Sequence, residues 1–384
     1  ADPARPILHR WAWAALAAGV ALAAAHPVAA APDGPSGAGT LDGPSSARAM
    51  IGFAPTVSEA AARALAAEHG LAGDLWIAPL HVLAVAAPDG LTPALEAALV
   101  AEPGVRYVEP DPVAHAVDVP DDTLYGNQWA PPKIDAEEAW DITTGSTGVV
   151  VAVLDTGIDL QHEDFVGTFT SYGYDFANGD SNPDDDHGHG THVGGIVGAN
   201  TDNNLGIASI GRQTKPMAIK VLNASGSGNH SWIASGITAA ADNGAQVINM
   251  SLGGTSGSQT LEDAVDYAYD EGVLVVAASG NNGNSTPFYP AAYASCMAIG
   301  ATNSSDVRAS FSNYGSWLEM VAPGVSIQSA WCCSGGSNYA SASGTSMASP
   351  HVAAVAALLL AVDGSLTNAE VWDILEGSAV DLGS

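Results

Sequence analysis

Val149-Val150-Val151-Ala152-Val153-Leu154-Asp155-Thr156-Gly157 is an unbroken, β-branched apolar run that stops at a carboxylate and a glycine. A short run without polar alternation suits a strand buried on both faces, as in a parallel sheet flanked by helices. An acid at the carboxyl end of such a strand stands at the rim of the sheet, where open α/β folds place their ligands. The reading is an α/β domain with a mostly parallel central sheet and helices on both faces, with Asp155 at its working edge.

Two later stretches share that edge. Asp186-His187-Gly188-His189-Gly190-Thr191-His192-Val193 leads into a small-residue helix, Gly194 to Gly198, that would hold an imidazole at its start. Gly344-Thr345-Ser346-Met347-Ala348-Ser349-Pro350-His351 puts a hydroxyl at the mouth of a helix running through Val352 to Leu360. A helix start supplies free N–H groups and a positive dipole end, which favour negative charge developing beside the serine. Pro350 is expected in the first helical turn, where its missing N–H would have no partner anyway. Read alone, the stretch is equally a Ser/Thr cap before a buried Ala/Leu helix. The upstream acid and imidazole favour a nucleophile, because a serine hydroxyl attacks only when a base accepts its proton. A rival reading makes His187, His189 and His192 a zinc site, but no Cys or downstream His stands at finger spacing.

The order Asp, His, Ser, with these flanks, resembles the subtilisin-like serine proteases from about residue 121 to 384. Val153-Leu154-Asp155-Thr156-Gly157-Ile158-Asp159, His189-Gly190-Thr191-His192-Val193 and Gly344-Thr345-Ser346-Met347-Ala348 carry the resemblance. Ser251-Leu252-Gly253-Gly254 and Ala277-Ala278-Ser279-Gly280-Asn281-Asn282-Gly283 bring it nearest the thermitase-like branch. It implies a secreted serine endopeptidase with Ser346 as nucleophile, His189 as general base, Asp155 as its orienting carboxylate and Asn281 as an oxyanion-hole donor. It further implies that Ser251, Leu252 and Gly253 on one side, and Gly226, Ser227 and Gly228 on the other, clamp a peptide substrate as an added strand. Gly253, Ala278 and Gly280 would wall the S1 pocket, with Asn282 and Phe288 near its floor, giving broad specificity with a preference for apolar P1 residues of modest size. Two alternatives from other classes are a catalytically silent, calcium-binding relative and an α/β-hydrolase esterase. The first needs a lost catalytic group, and the second needs Gly-x-Ser-x-Gly and the order Ser, Asp, His; neither condition is met.

The 384-residue chain carries 10 Lys+Arg against 41 Asp+Glu, a formal charge of −31, with only three lysines. Nothing here would neutralise phosphates, so nucleic-acid binding is excluded. Such acidity suits high-salt adaptation or a soluble secreted protein that binds cations. Residues 175–186 pack oxygen donors into a Gly/Pro loop, and hard oxygens at that density suit Ca²⁺. By resemblance, Asp175, Asp180, Asn182 and Asp184 would be ligands of one calcium ion. Asp121, Asp164, the Asn203 side chain and the Leu205 and Ile207 carbonyls would hold a second.

The first third is different. Arg5 and Arg10 flank a stretch that is wholly apolar from Trp11 to Ala25 and ends in Val28-Ala29-Ala30. That reads as a secretory signal over residues 1–30, too short for a stable membrane span. Residues 31–46 read as a flexible linker. Residues 47–116 carry a β-α-β-β-α-β pattern, with Ser58 and Thr92 as helix caps, the ferredoxin-like arrangement. It resembles the propeptide of subtilisin-type zymogens, an intramolecular inhibitor cut off between about Ala114 and Asp121 to leave a catalytic domain over 117–384. A monomer is expected. Cys296 reads as a core residue, and the adjacent Cys332 and Cys333 are not expected to bridge. Thr367 and Glu370 form a capping-box pair, and relatives continue beyond such a helix, so a further element is expected past Ser384.

Overall fold

The computed structural model of the chain describes residues 6–7, 48–87, 90–111, 119–333 and 336–382. The expected signal segment and linker fall almost wholly outside the described residues, as does most of the expected cleavage region. The chain divides into two compact units, Pro27–Ala116 and a larger one of Ala1–His26 with Val117–Ser384.

The larger unit is built on seven parallel strands. Across the sheet they run Met320–Pro323, Met297–Thr302, Leu274–Ala278, Val247–Met250, Val150–Asp155, Lys215–Lys220 and Tyr174–Asp175. Two-residue strands, Pro6–Ile7 and Val380–Asp381, continue the edge beyond Met320–Pro323. From the central Val150–Asp155 strand the chain first fills one side, then crosses to fill the other. The crossing leaves a crevice at the carboxyl ends of Val150–Asp155 and Val247–Met250, the topological switch point where such sheets bind ligands.

The apolar run alternates as a pleated strand must. Val151 and Val153 face the layer of His189–Gly198 and Thr345–Val362, while Ala152 and Leu154 face His230–Asp242 and Gln259–Asp270. Full burial of a Val or Leu side chain is worth about 1.5–3 kcal/mol, so two covered faces explain why the strand carries no polar residue before Asp155. The helix Thr345–Val362 is long and apolar enough to cross a membrane, and it is buried in this core instead. Glycine decides one contact: a Cβ on Gly190 would lie 2.1 Å from the Gly157 carbonyl oxygen, so only glycine lets this helix meet the turn after Asp155.

The smaller unit is a four-stranded antiparallel sheet in the order Ala72–Ile77, Val82–Ala86, Arg48–Phe53, Val105–Pro110. Its helices are Glu59–Glu68 and Pro93–Val100, capped as expected by Ser58 and Thr92. Ile51, Phe53, Leu83 and Leu99 fill its core.

Two expectations change, at Pro350 and at the paired cysteines. Pro350 is the sixth residue of its helix, in the second turn rather than the first. Cys332 and Cys333 are bridged to each other, in contrast to the expectation for neighbours, with Cys333 in the left-handed region at φ 72°. Cys296 is free and buried, and burial together with Glu319 pushes its thiol well above the usual range. The Thr367–Glu370 capping box is present.

Candidate active site

Asp155 ends its strand fully buried. Its Oδ1 accepts the Thr156 N–H at 2.7 Å and lies 2.7 Å from Nδ1 of His189, the first residue of the His189–Gly198 helix. Thr156 links the two elements: its hydroxyl donates to Asp185 Oδ1 at 2.8 Å and accepts the Gly190 N–H at 2.9 Å. Asp185 also accepts the N–H groups of His187, Gly188 and Thr191 and the Thr191 hydroxyl, which fixes the turn that opens the helix. Burial alone would lower the His189 pKa, but the Asp155 charge and hydrogen bond, aided by Asp185, outweigh it and raise it above 6.5.

Ser346 is the second residue of the Thr345–Val362 helix, and its hydroxyl donates to the Ser251 carbonyl at 3.2 Å. A proline at 350 has no N–H to give the carbonyl four residues earlier, which is that of Ser346. The Ser251 hydroxyl fills the gap, donating to the Ser346 carbonyl at 2.8 Å, so the helix keeps its proline without an orphaned acceptor. Asn281 follows the Leu274–Ala278 strand, and its Oδ1 accepts both the N–H of Thr345 at 2.8 Å and its hydroxyl at 3.1 Å. Oδ1 is thus committed to these donors, and a Cβ on Gly344 would lie 3.4 Å from Asn281 Nδ2 and 3.6 Å from the Ser346 nitrogen, so the two nitrogens stand near one another.

These groups open on a cleft of about 500 Å³. The expected Gly226, Ser227, Gly228, Ser251, Leu252, Gly253, Ala278 and Gly280 all line it. Phe288 lines it as well, whereas Asn282 does not. A Cβ on Gly253 would stand 2.6 Å from Phe288 Cε1, and one on Gly280 2.9 Å from its Cγ. One aromatic ring therefore touches both walls of the expected S1 pocket.

The three histidines of the zinc reading do not converge. His187 is exposed, His189 faces Asp155, and His192 is buried with Nε2 3.0 Å from the Ile327 carbonyl, its pKa lowered by burial to about 4.

The two acidic regions differ. Asp164 is fully buried, its oxygens holding the Asn203 amide and the Ile207 N–H, each at 3.0 Å. Of the adjacent aspartates, Asp122 and not the expected Asp121 turns inward. Asp121 is exposed and caps the Asn204 N–H, whereas Asp122 is 4% exposed and leaves Oδ1 without a partner among the described residues. Burial, with Asp164 nearby, pushes the Asp122 pKa up to about 6. In the 175–186 loop, both Asp175 oxygens are taken by Asn178, Asp180 caps the Asn182 N–H, and Asp184 caps the Leu160 N–H. Among the described residues Asp175, Asp180 and Asp184 do not gather into a three-carboxylate cluster. Thr156, Asp185, Thr345 and Asp122 carried no expectation from the sequence; each stands within two residues of an expected site residue, except Asp185, four before His189, and Asp122 groups with Asp121 and Asp202.

The Subtilase family model matches residues 146–384. The chain is 47% identical over 291 residues to a thermophilic serine proteinase of Bacillus sp. (strain AK1), a match covering 76% of this chain and 71% of that protein. It is 47% identical over 250 residues to thermitase of Thermoactinomyces vulgaris, covering 65% of this chain and 88% of the relative. A solved cold adapted subtilisin-like serine proteinase aligns with a TM-score of 0.55 at 39% identity, over 62% of this chain and 86% of that one. A protease of Pseudoalteromonas arctica aligns with a TM-score of 0.64 at 33% identity, over 68% and 92%. With the buried acid, the imidazole and the hydroxyl at one switch-point crevice, the conclusion is direct: the chain belongs to the subtilase family and is a serine endopeptidase.

Proposed function

We propose that Ser346, His189 and Asp155 work as nucleophile, general base and orienting carboxylate. The observation that carries this is the 2.7 Å contact of a fully buried Asp155 with His189 Nδ1, at the cleft that holds Ser346. For attack, the Ser346 hydroxyl leaves the Ser251 carbonyl for His189 Nε2; such bonds often tighten only when substrate is bound. Oγ then adds to the scissile carbonyl carbon and its proton passes to Nε2. The oxyanion accepts hydrogen bonds from the Ser346 N–H and Asn281 Nδ2, donors of a kind worth about 10²- to 10³-fold each. The imidazolium protonates the leaving amine, and the acyl-enzyme is hydrolysed by water in the mirror sequence. Asp155 holds one imidazole tautomer and orients the ring.

Protein substrates would lie as an added strand between residues 226–228 and 251–253, with main-chain pairing giving breadth. Phe288 would close the S1 pocket and favour apolar P1 residues of modest size. The 48–111 unit would act as inhibitory propeptide of a secreted, monomeric, self-processing zymogen.

Calcium fits best near Asp122. Two buried carboxylates and an unpartnered oxygen form a hard-oxygen set that a divalent cation would neutralise. Asp122, Asp164, the Asn203 side chain and the Leu205 and Ile207 carbonyls would hold it, tying the start of the unit to the segment after the His189 helix. The 175–186 loop fits less well, since among the described residues none of its carboxylate oxygens is buried without a partner.

Four outcomes are expected. The S346A protein should neither hydrolyse casein nor release a new N-terminus; maturation at the wild-type rate would overturn self-processing. Because catalysis needs neutral His189 and its pKa is raised, kcat/KM should climb with pH through a midpoint above 6.5; a midpoint at or below that value contradicts the pairing. Chelation should lower the Tm, and D122N should remove most of that response while D121N keeps it. In a P1-varied peptide series, F288A should raise kcat/KM for Phe relative to Ala at least about tenfold; equal wild-type cleavage after Lys or Arg would refute the apolar preference.

A further inference from the structure

Lys220 is one of only three lysines in the chain, and it is 1% exposed. It closes the Lys215–Lys220 strand in register with Asp155 on one side and Asp175 on the other. Its ammonium donates to the Thr156 carbonyl at 2.6 Å, the Leu222 carbonyl at 3.0 Å and Asp186 Oδ1 at 2.6 Å. Three donors thus meet three acceptors, the full capacity of the group.

Stability alone does not account for a lysine here. Its charged partner, Asp186, is 46% exposed, and an apolar side chain of similar length in place of a buried ion pair is often neutral or stabilising. What the ammonium does have is position. Each polar group of Thr156 fastens a different part of the site: the N–H holds Asp155, the hydroxyl joins Asp185 to the His189 helix, and the carbonyl is held by Lys220. Asp186 lies in the turn that opens that helix, and Leu222 lines the cleft together with Ser225, Gly226, Ser227 and Gly228.

We propose that Lys220 is a positioning residue of the active site, its ammonium clamping Thr156, and with it the Asp155–His189 pair, to the Asp186 turn and the cleft wall. The inference rests on the assignment of Asp155 and His189 as the working pair. The titratable groups around His189 are Asp155 and Asp185, His187 with its ring 6.3 Å away, and His192 one helical turn on.

The test is K220M beside K220R, assayed as matured protein in saturating calcium chloride with a peptide p-nitroanilide. K220M should lose roughly ten- to a hundred-fold in kcat, the scale of a small misplacement of reacting groups, with KM within about twofold. Because a loosened Asp155 raises the His189 pKa less, the acid limb of kcat/KM should move to lower pH, and the downfield His189 Nδ1–H resonance should shift or broaden. K220R, which keeps charge and donors, should retain more kcat. A folded K220M with unchanged kcat overturns the proposal, as does a fall in kcat with the acid limb and resonance unmoved, which would mark a merely structural role. If K220M does not fold, D186A carries the test, with the same changes expected in smaller size and their absence decisive against the clamp. If H189A stays active, the underlying assignment fails; if H189A is dead and K220M normal, only the clamp does.

Discussion

A carboxylate wholly removed from water must be met by donors, and the active-site end of the molecule is arranged around that demand at Asp155. The Thr156 N–H and the His189 ring both serve its Oδ1, Oδ2 has no partner among the described residues, and the Gly190–Gly157 contact brings the helix close enough for the ring to reach. The parallel sheet supplies the burial, because a strand covered on both faces delivers its last residue to a site already closed on two sides. Fold and site are thus one constraint seen at two distances.

Much of this was legible in the residues. The unbroken Val/Ala/Leu run announced a doubly covered strand, and its terminal Asp announced the rim. Small residues after His189 and Ser346 announced helices that begin at that rim. The β-α-β-β-α-β unit could be read from two caps and the spacing of apolar runs. These features are local, and local patterns are what a sequence displays.

What was not legible depends on partners far along the chain. Two adjacent aspartates look alike until the turn is folded, and the turn sends Asp122 inward and Asp121 out. The acidic 175–186 loop promises free oxygens, but Asn178 takes both of Asp175's, the Asn182 N–H takes one of Asp180's, and the Leu160 N–H, 24 positions away, takes one of Asp184's. Pro350 read as a first-turn residue, since nothing nearby could show that a hydroxyl 99 positions earlier would serve the carbonyl it leaves bare. Lys220 offered no motif at all; its meaning comes from three acceptors brought together by the sheet and two loops.

The Ser251 contact has a consequence for how such an enzyme can diverge. One residue stitches the serine helix through its side chain, restrains the serine hydroxyl through its carbonyl, and forms part of the cleft wall. A substitution there would keep the carbonyl but change the helix stitch and the cleft wall together, so selection cannot tune one without disturbing the other. Phe288 bears on the same pocket but makes no hydrogen bond to the serine helix, which leaves it free to vary. Diversity of specificity in this architecture has an open path on the Phe288 side and a closed one at Ser251.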